Sequence, residues 1–174
     1  MKLLLHACCA PCLIGTLPFV KNYEIACYWF NPNIHPYTEY KSRLDALDNY
    51  TRDNNIELII KDNYGLREFT RSVINNLENK CGFCYDRRMR ETAEYAAENN
   101  FDSFGTTLLV SLYQNHENIK NICENYSRLY NINFFYQDCR GNFRAGQKQA
   151  REHNIYMQKY CGCIFSEEER YRKK

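Results

Sequence analysis

The sequence lacks several features that would assign it to a functional class at once. It has no long apolar run, and residues 1–5 are too short for the apolar core of an export signal, so we expect a cytoplasmic protein that makes no membrane contact. It lacks a strong charge of one sign, since 23 basic and 21 acidic side chains leave a formal charge of +2. It also has no repeat, linker or low-complexity segment. The 174 residues therefore predict one domain spanning 1–174.

The nearly balanced charge limits how RNA could be bound. A protein without a global basic field has to bind RNA through a local patch. Two basic runs, at 87–90 and 170–174, are available, although runs of this kind are most often solvated surface. Charge alone therefore decides nothing about a nucleic-acid partner.

Cysteine, in contrast, is abundant and grouped. Ten cysteines in a chain without an export signal do not predict a disulfide scaffold, because a reducing cytosol keeps such bridges open. Metal binding or thiol catalysis is the better interpretation. Three cysteines stand alone, namely Cys27, Cys123 and Cys139, and seven form three tight groups, which are Cys8, Cys9 and Cys12, then Cys81 and Cys84, then Cys161 and Cys163.

Apolar periodicity predicts a regular alternation of strands and helices. Such alternation is typical of a three-layer, Rossmann-like α/β domain with a mostly parallel sheet, here of about five strands. The predicted strands cover residues 2–6, 24–30, 56–60, 103–107 and 132–136, and helical spacing covers 11–21, 37–47, 66–77, 89–97 and 119–129.

Open parallel sheets bind ligands beyond the carboxyl ends of their strands, and the chemically notable residues fall there. Cys8 and Cys9 follow the first strand, and the loop 31–36 follows the second. We expect the Cys-containing segments 79–86 and 158–165 to fold over this same active edge. The thiol groups would then meet at one place.

Three chemistries are open to these thiols from the residues alone. Cys9 and Cys12 form a CxxC between strand and helix, as in thioredoxin-like thiol oxidoreductases. The two later pairs offer the four thiolates of a structural zinc site, as in a zinc-binding RNA-interaction module, although their spacing is tight. Six or seven grouped thiols also exceed the four that an iron–sulfur cluster takes and leave a surplus for a second metal.

Six stretches together resemble the QueH family of epoxyqueuosine reductases. They span nearly the whole chain in order, and the double cysteine, the CxxC and the CGC in combination are highly specific. The stretches read HACCAPC at 6–12, NPNIHP at 31–36, CGFCY at 81–85, TTLL at 106–109, DCR at 138–140 and YCGCI at 160–164.

This resemblance implies an activity and its cofactors. The family reduces the epoxide of epoxyqueuosine, at the wobble position of a tRNA anticodon, to queuosine. It implies a 4Fe-4S cluster and an adjacent mononuclear iron without cobalamin, on a fold of the adenine-nucleotide-hydrolase type. HACCAPC stands where the ATP-using members of that fold have a Gly-rich phosphate loop, so ATP is not expected. Electrons would come from an external donor of ferredoxin or flavodoxin type.

The resemblance also implies roles for residues of this chain. The expected ligands are Cys8, Cys9, Cys81, Cys84, Cys161, Cys163 and Asp138, with Cys12 as either a ligand or a helix residue and Cys139 as structural. The needs of epoxide reduction, rather than the resemblance, make Asp138, Arg140, His6 and Tyr160 the expected catalytic residues, with His35 and His116 less favoured as proton donors. General RNA chemistry, in which bases stack on aromatic rings and phosphates bind basic side chains, gives the candidates for contact with RNA, which are Tyr37, Tyr113, Arg87, Arg88 and Arg90.

Overall fold

The computed structural model describes residues 1–172 and confirms the predicted α/β architecture. Five strands form one sheet in the order β3-β2-β1-β4-β5, and every neighbouring pair is parallel. No helix in this part of the chain is long and apolar enough to cross a membrane. The strands are β1 Lys2–His6, β2 Glu24–Trp29, β3 Glu57–Ile60, β4 Ser103–Thr106 and β5 Asn133–Phe134. The α-helices are α1 Ala10–Thr16, α2 Tyr37–Asp53, α3 Leu66–Val73, α4 Lys80–Glu98, α5 His116–Tyr130, α6 Phe143–Glu152 and α7 Ile164–Tyr171.

The sheet is buried on both faces, which explains why its central strands read as apolar runs. Side chains alternate between the faces along each strand. Leu4 packs with residues of α4 and α5, such as Met89, whereas Leu5 packs with residues of α1 and α2, such as Leu44. The helices therefore form one layer on each side of the sheet.

Three elements end earlier than the sequence predicts. The first helix stops at Thr16 and continues only as a 3₁₀ turn, Leu17–Phe19, because Pro18 has no N–H for a helical hydrogen bond. The helix predicted to residue 77 stops at Val73, and the apolar residues beyond it are exposed rather than packed. The edge strand β5 pairs with β4 at only two positions.

Helix α4 begins earlier than the sequence predicts. Cys81 and Cys84 lie in its first turns, so nearly all of segment 79–86 is helix. In a β-α-β unit the helix runs antiparallel to the strands, which brings its first residues to the carboxyl edge of the sheet. The start of α4 therefore carries two thiols to the edge that also holds Cys8.

Helix α6, which the sequence reasoning did not predict, packs tightly against α1. A Cβ on Gly146 would lie 2.8 Å from the backbone nitrogen and Cα of Gly15 and 3.0 Å from the carbonyl oxygen of Pro11. Only a residue without a side chain allows this backbone contact. Asn142 also donates a hydrogen bond of 3.0 Å to the Gly15 carbonyl. The position of α1, and of the cysteines at its start, thus depends on α6.

We expect Gly146→Ala to destabilise the protein despite the better helix propensity of alanine. The added methyl group meets backbone atoms that cannot move aside, and overpacking of this kind costs about 1–3 kcal/mol. For a chain of this length that lowers the Tm by about 2–4 °C per kcal/mol. Gly141→Ala is the matched control for thermal denaturation, because a Cβ there meets nothing within 4 Å. Equal Tm values for the two variants would contradict the close α1–α6 contact.

Candidate metal centre

The candidate site lies where the strand order reverses, at the carboxyl ends of β1 and β4. In open α/β sheets this crevice is the usual ligand-binding position. The turn after β1 carries Cys8 and Cys9, and Cys9 is the N-cap residue of α1. Thr107 follows β4, and its hydroxyl oxygen accepts a hydrogen bond of 3.4 Å from the backbone N–H of Cys8. The two strand ends are thereby joined beneath the thiols.

Cys8, Cys9 and Cys12 form a buried group that we call the N-terminal thiol cluster. Their sulfur atoms all lie within 4.8 Å of one another, and the Cys8 and Cys9 sulfurs are 3.8 Å apart. Hydrogen bonds from Cys12 and Cys9 hold the pKa of the Cys8 thiol well below its ordinary value, whereas burial raises the pKa of Cys9. The three sulfur atoms are therefore close enough together to bind one metal centre.

The four later cysteines belong to the same side of the molecule but are spaced more widely. Cys84 and Cys163 are buried and pack with Phe69, whereas Cys81 and Cys161 are exposed. Burial raises the pKa of Cys84 to about 12, opposed by the charge of Arg88. Within residues 1–172, the N-terminal thiol cluster is the only set of three or more potential ligand side chains with all its ligand atoms within 4.8 Å.

A cavity of about 540 Å³ opens in front of these thiols, with Cys8, Cys12 and Cys161 in its wall. Its lining is rich in positive charge and contains a single acidic side chain, Glu169, which pairs with Lys80 at 3.0 Å. Such a lining suits anionic contents, whether thiolates, a metal-bound group or a phosphate-bearing substrate. The cationic side chains in the wall are Arg43, Arg88, Lys159 and Arg170.

Three side chains donate N–H hydrogen bonds to cysteine sulfur atoms. Arg88 donates to Cys84 over 2.9 Å, and this guanidinium is only 3% exposed. Gln114 donates to Cys161 over 3.2 Å, and Gln158 donates to Cys9 over 3.0 Å. Hydrogen bonds of this kind favour the charged thiolate over the neutral thiol. The donors come from α4, from the loop before α5 and from the loop before α7, and neither glutamine belongs to a motif that marks it as a sulfur partner.

Arg43 holds the CGC segment, residues 161–163, against the rest of the domain. Its guanidinium is buried, pairs with Glu39 at 2.6 Å, and donates hydrogen bonds of 3.0 and 2.9 Å to the carbonyl oxygens of Tyr160 and Cys161. The same guanidinium lies 5.7 Å from the centre of the Tyr160 ring. Arg43 cannot be recognised as a site residue from the sequence, because nothing in its own stretch of sequence marks this long-range contact.

The two residues predicted to donate protons have different access to the cavity. His6 is fully buried, its Nδ1 lies 3.1 Å from the Thr106 hydroxyl and its Nε2 lies 3.3 Å from the Phe30 carbonyl oxygen. Burial lowers the pKa of His6 to about 3, so the ring is neutral. Tyr160 lines the cavity, and its hydroxyl donates a 2.7 Å hydrogen bond to the His35 carbonyl.

Asp138 and Arg140 lie together but are not gathered with the thiols. Arg140 donates several hydrogen bonds to the Asp138 carboxylate, which is 40% exposed. These hydrogen bonds lower the pKa of Asp138 to about 2. Cys139 between them points into the core, as predicted for a structural residue. Within residues 1–172, Asp138 belongs to no set of closely spaced potential ligands.

The residues predicted to contact RNA are divided by the structure. Tyr37 and Tyr113 are exposed, as a stacking role requires, and Arg90 is exposed on α4. Arg88 is buried, and its guanidinium donates a hydrogen bond to the Cys84 sulfur. It is therefore not part of a surface patch. Of the basic run 170–174, residues 173 and 174 lie outside the described residues.

Comparison with known proteins identifies the family of this chain. The family model described as Epoxyqueuosine reductase QueH matches residues 3–169. A protein named Epoxyqueuosine reductase QueH from Dehalococcoides mccartyi is 34% identical over 174 residues, covering 99% of this chain and 96% of the relative. Relatives of the same name from Thermotoga maritima and Staphylococcus epidermidis are 33% and 31% identical, and the alignments cover 98% and 95% of this chain and 92% and 76% of those relatives. The chain therefore belongs to the epoxyqueuosine reductase QueH family.

Proposed function

We propose that this protein reduces the epoxide of epoxyqueuosine, at the wobble position of a tRNA anticodon, to the cyclopentene of queuosine. The observation that carries the proposal is the buried N-terminal thiol cluster, which lies where the strand order reverses. The cavity in front of it is large enough for a nucleobase-sized ligand. Membership of the family supplies the reaction. Cytoplasmic location and an external ferredoxin- or flavodoxin-like electron donor stay predictions.

The reaction sets the requirements for the site. Conversion of an epoxide to an alkene consumes two electrons and two protons and releases the oxygen as water. A 4Fe-4S cluster supplies single electrons, and an adjacent iron supplies a Lewis acid for oxygen, when both are bound. The residues of the chain have to hold such a group, admit the modified base and deliver protons.

The donor set fits an iron–sulfur group. Soft thiolates are the ligands such clusters take, and the N–H donors on sulfur are of the kind that tune them. The cationic cavity wall offsets the negative charge that several thiolates bring together. We propose as ligands Cys8, Cys9, Cys81, Cys84, Cys161 and Cys163, with Cys12 and Asp138 as the two candidates for one further position.

The spacing of the ligand atoms favours Cys12 over Asp138 for that position. Cys12 already shares the N-terminal thiol cluster, whereas Asp138 would first have to leave Arg140. We expect Cys12→Ser to lower the iron bound per chain after anaerobic reconstitution, and Asp138→Asn to leave it unchanged. Iron and acid-labile sulfide per chain are the measurements. The reverse pattern would assign the position to Asp138, as the family resemblance implies.

Proton delivery is best assigned to the cavity wall. Tyr160 reaches the cavity, and burial keeps its hydroxyl protonated by raising its pKa. His6 has no exposed surface and both its ring nitrogens lie near partners, so we propose that it fixes the end of β1 beneath Cys8. Arg140 holds the Asp138 carboxylate in its ionised form.

The two alternative functions receive less support. A thioredoxin-like enzyme needs an accessible first thiol with a depressed pKa, but Cys9 is buried and burial raises its pKa. A zinc-binding RNA module would leave the N-terminal thiol cluster without a role, and the relatives are named as reductases.

Anaerobic turnover tests the proposed function. The reconstituted protein is incubated with tRNA that carries epoxyqueuosine and with a chemical reductant, and the nucleosides of the digested tRNA are analysed by mass spectrometry. We expect the modified nucleoside to lose one oxygen atom. Unchanged epoxyqueuosine, with iron and sulfide bound to the protein, would refute the assigned reaction.

A further inference from the structure

Helix α6 leads from the mouth of the cavity to the protein surface. Phe143, at its start, and Gln147, one turn later, line the cavity that holds the thiols. The close contact of Gly146 with Gly15 fixes this helix against α1. The first turns of α6 therefore form part of the cavity wall.

The outer face of α6 carries three cationic side chains. Arg144, Lys148 and Arg151 are exposed, and their i, i+4, i+7 spacing places them on one face over about 10 Å of helix. Lys148 pairs only weakly with Glu152, at 3.7 Å between two exposed groups. In residues 1–172 neither Arg144 nor Arg151 has an ion-pair partner, so the face offers cations to a partner outside the domain.

An exposed aromatic side chain stands at the same mouth. Tyr113 is 81% exposed, lines the cavity, and packs edge-on against Phe143 with 5.8 Å between ring centres. Leu112 beside it is also exposed. Exposure of an aromatic ring to water is unfavourable, and a ligand that stacks on the ring would remove that apolar surface from water.

We propose that the cationic face of α6 and Tyr113 together receive the anticodon arm of the tRNA, an inference that rests on the proposed function. A base that enters the cavity has to leave its stack, and its neighbour then needs a new stacking partner. Tyr113 provides that partner at the mouth, while Arg144, Lys148 and Arg151 bind the phosphates that follow. An acidic protein would use the cations but has no need of a stacking ring, which favours RNA.

Salt dependence of RNA binding tests the cationic face. The probe is an unmodified anticodon stem-loop RNA, with its Kd for the reconstituted protein measured over a range of salt concentrations. Each lost phosphate contact reduces the slope of log K against log salt by about 0.7–0.9. We expect the double variant Arg144→Gln, Arg151→Gln to reduce the slope by about 1.5. The matched control, Arg67→Gln with Arg71→Gln on α3, removes the same charge and should bind like the wild type.

A second pair of variants tests the stacking role. Tyr113→Ala is expected to weaken binding of the same RNA about tenfold, and Tyr113→Phe to bind like the wild type, because stacking needs the ring and not the hydroxyl. An unchanged slope in the α6 double variant, or equal binding by the Ala and Phe variants, would overturn the proposal. The proposal would also be overturned if the α6 double variant bound RNA normally and lost turnover only when a protein electron donor replaced the chemical reductant. The cationic face would then bind the electron donor. Wild-type protein that holds the cluster but does not convert epoxyqueuosine would instead refute the proposed function.

Discussion

Cys8→Ala is expected to lower turnover on epoxyqueuosine-bearing tRNA by more than about 100-fold and to reduce the iron bound per chain. Loss of a hydrogen-bond partner of a metal ligand already costs about 10- to 100-fold in affinity or activity, so loss of a proposed ligand costs more. The Cys8 sulfur lies 3.8 Å from the Cys9 sulfur and within 4.8 Å of the Cys12 sulfur, and it lines the cavity. Turnover and iron content of the reconstituted variant are measured together.

Cys27→Ala is the matched control for this variant. Cys27 is equally buried, but it lies on β2 and packs on the opposite face of the sheet, among residues of α1 and α2. We expect the control to keep its iron and its turnover and to lose only some stability. Equal iron and equal turnover in the Cys8 and Cys27 variants would contradict the metal role of the N-terminal thiol cluster.

Arg88→Met is expected to lower turnover by about 10- to 100-fold and to shift the reduction potential of the bound centre to more negative values. The buried guanidinium donates a hydrogen bond to Cys84 and lowers the energy of negative charge near Cys8 and Cys84. Since reduction adds negative charge, removal of this cation disfavours the reduced state. Potentiometric titration followed by absorbance measures the shift.

Two further variants separate the hydrogen bond from ordinary loss of charge. Gln114→Leu removes a neutral N–H donor from Cys161 and should shift the potential in the same direction by a smaller amount. Arg128→Met removes an exposed cation on α5 and should leave the potential unchanged. A potential that stays the same in Arg88→Met, at full iron and sulfide content, would show that Arg88 does not act on the centre.

The central β-α pattern could be predicted from the sequence because burial on both faces leaves long apolar runs in the strands. Helix α6 escaped prediction for the opposite reason. Its buried residues are only Gly146 and Ala150, so almost no apolar period marks it, although its contact with α1 is among the tightest in the fold. Short helices held by backbone contacts carry little signal in apolar periodicity.

The thiols of the candidate site could also be predicted, because cysteine grouping is visible in one dimension. Their hydrogen-bond partners could not. Arg43 contacts a carbonyl 118 positions away and Gln158 contacts a thiol 149 positions away, and neither residue belongs to a local motif. In the sequence Arg88 is marked only as part of a basic run, in which its neighbour Arg90 is exposed.

The most direct test of the account is a single turnover by the reduced protein. Anaerobically reconstituted protein is reduced, freed of excess reductant and mixed with epoxyqueuosine-bearing tRNA, while absorbance near 400 nm and the nucleoside product are followed. We expect the reduced centre to be reoxidised and one queuosine to form for every two electrons lost. A colourless zinc protein, or a reduced iron–sulfur centre that is unchanged by the tRNA, would contradict it.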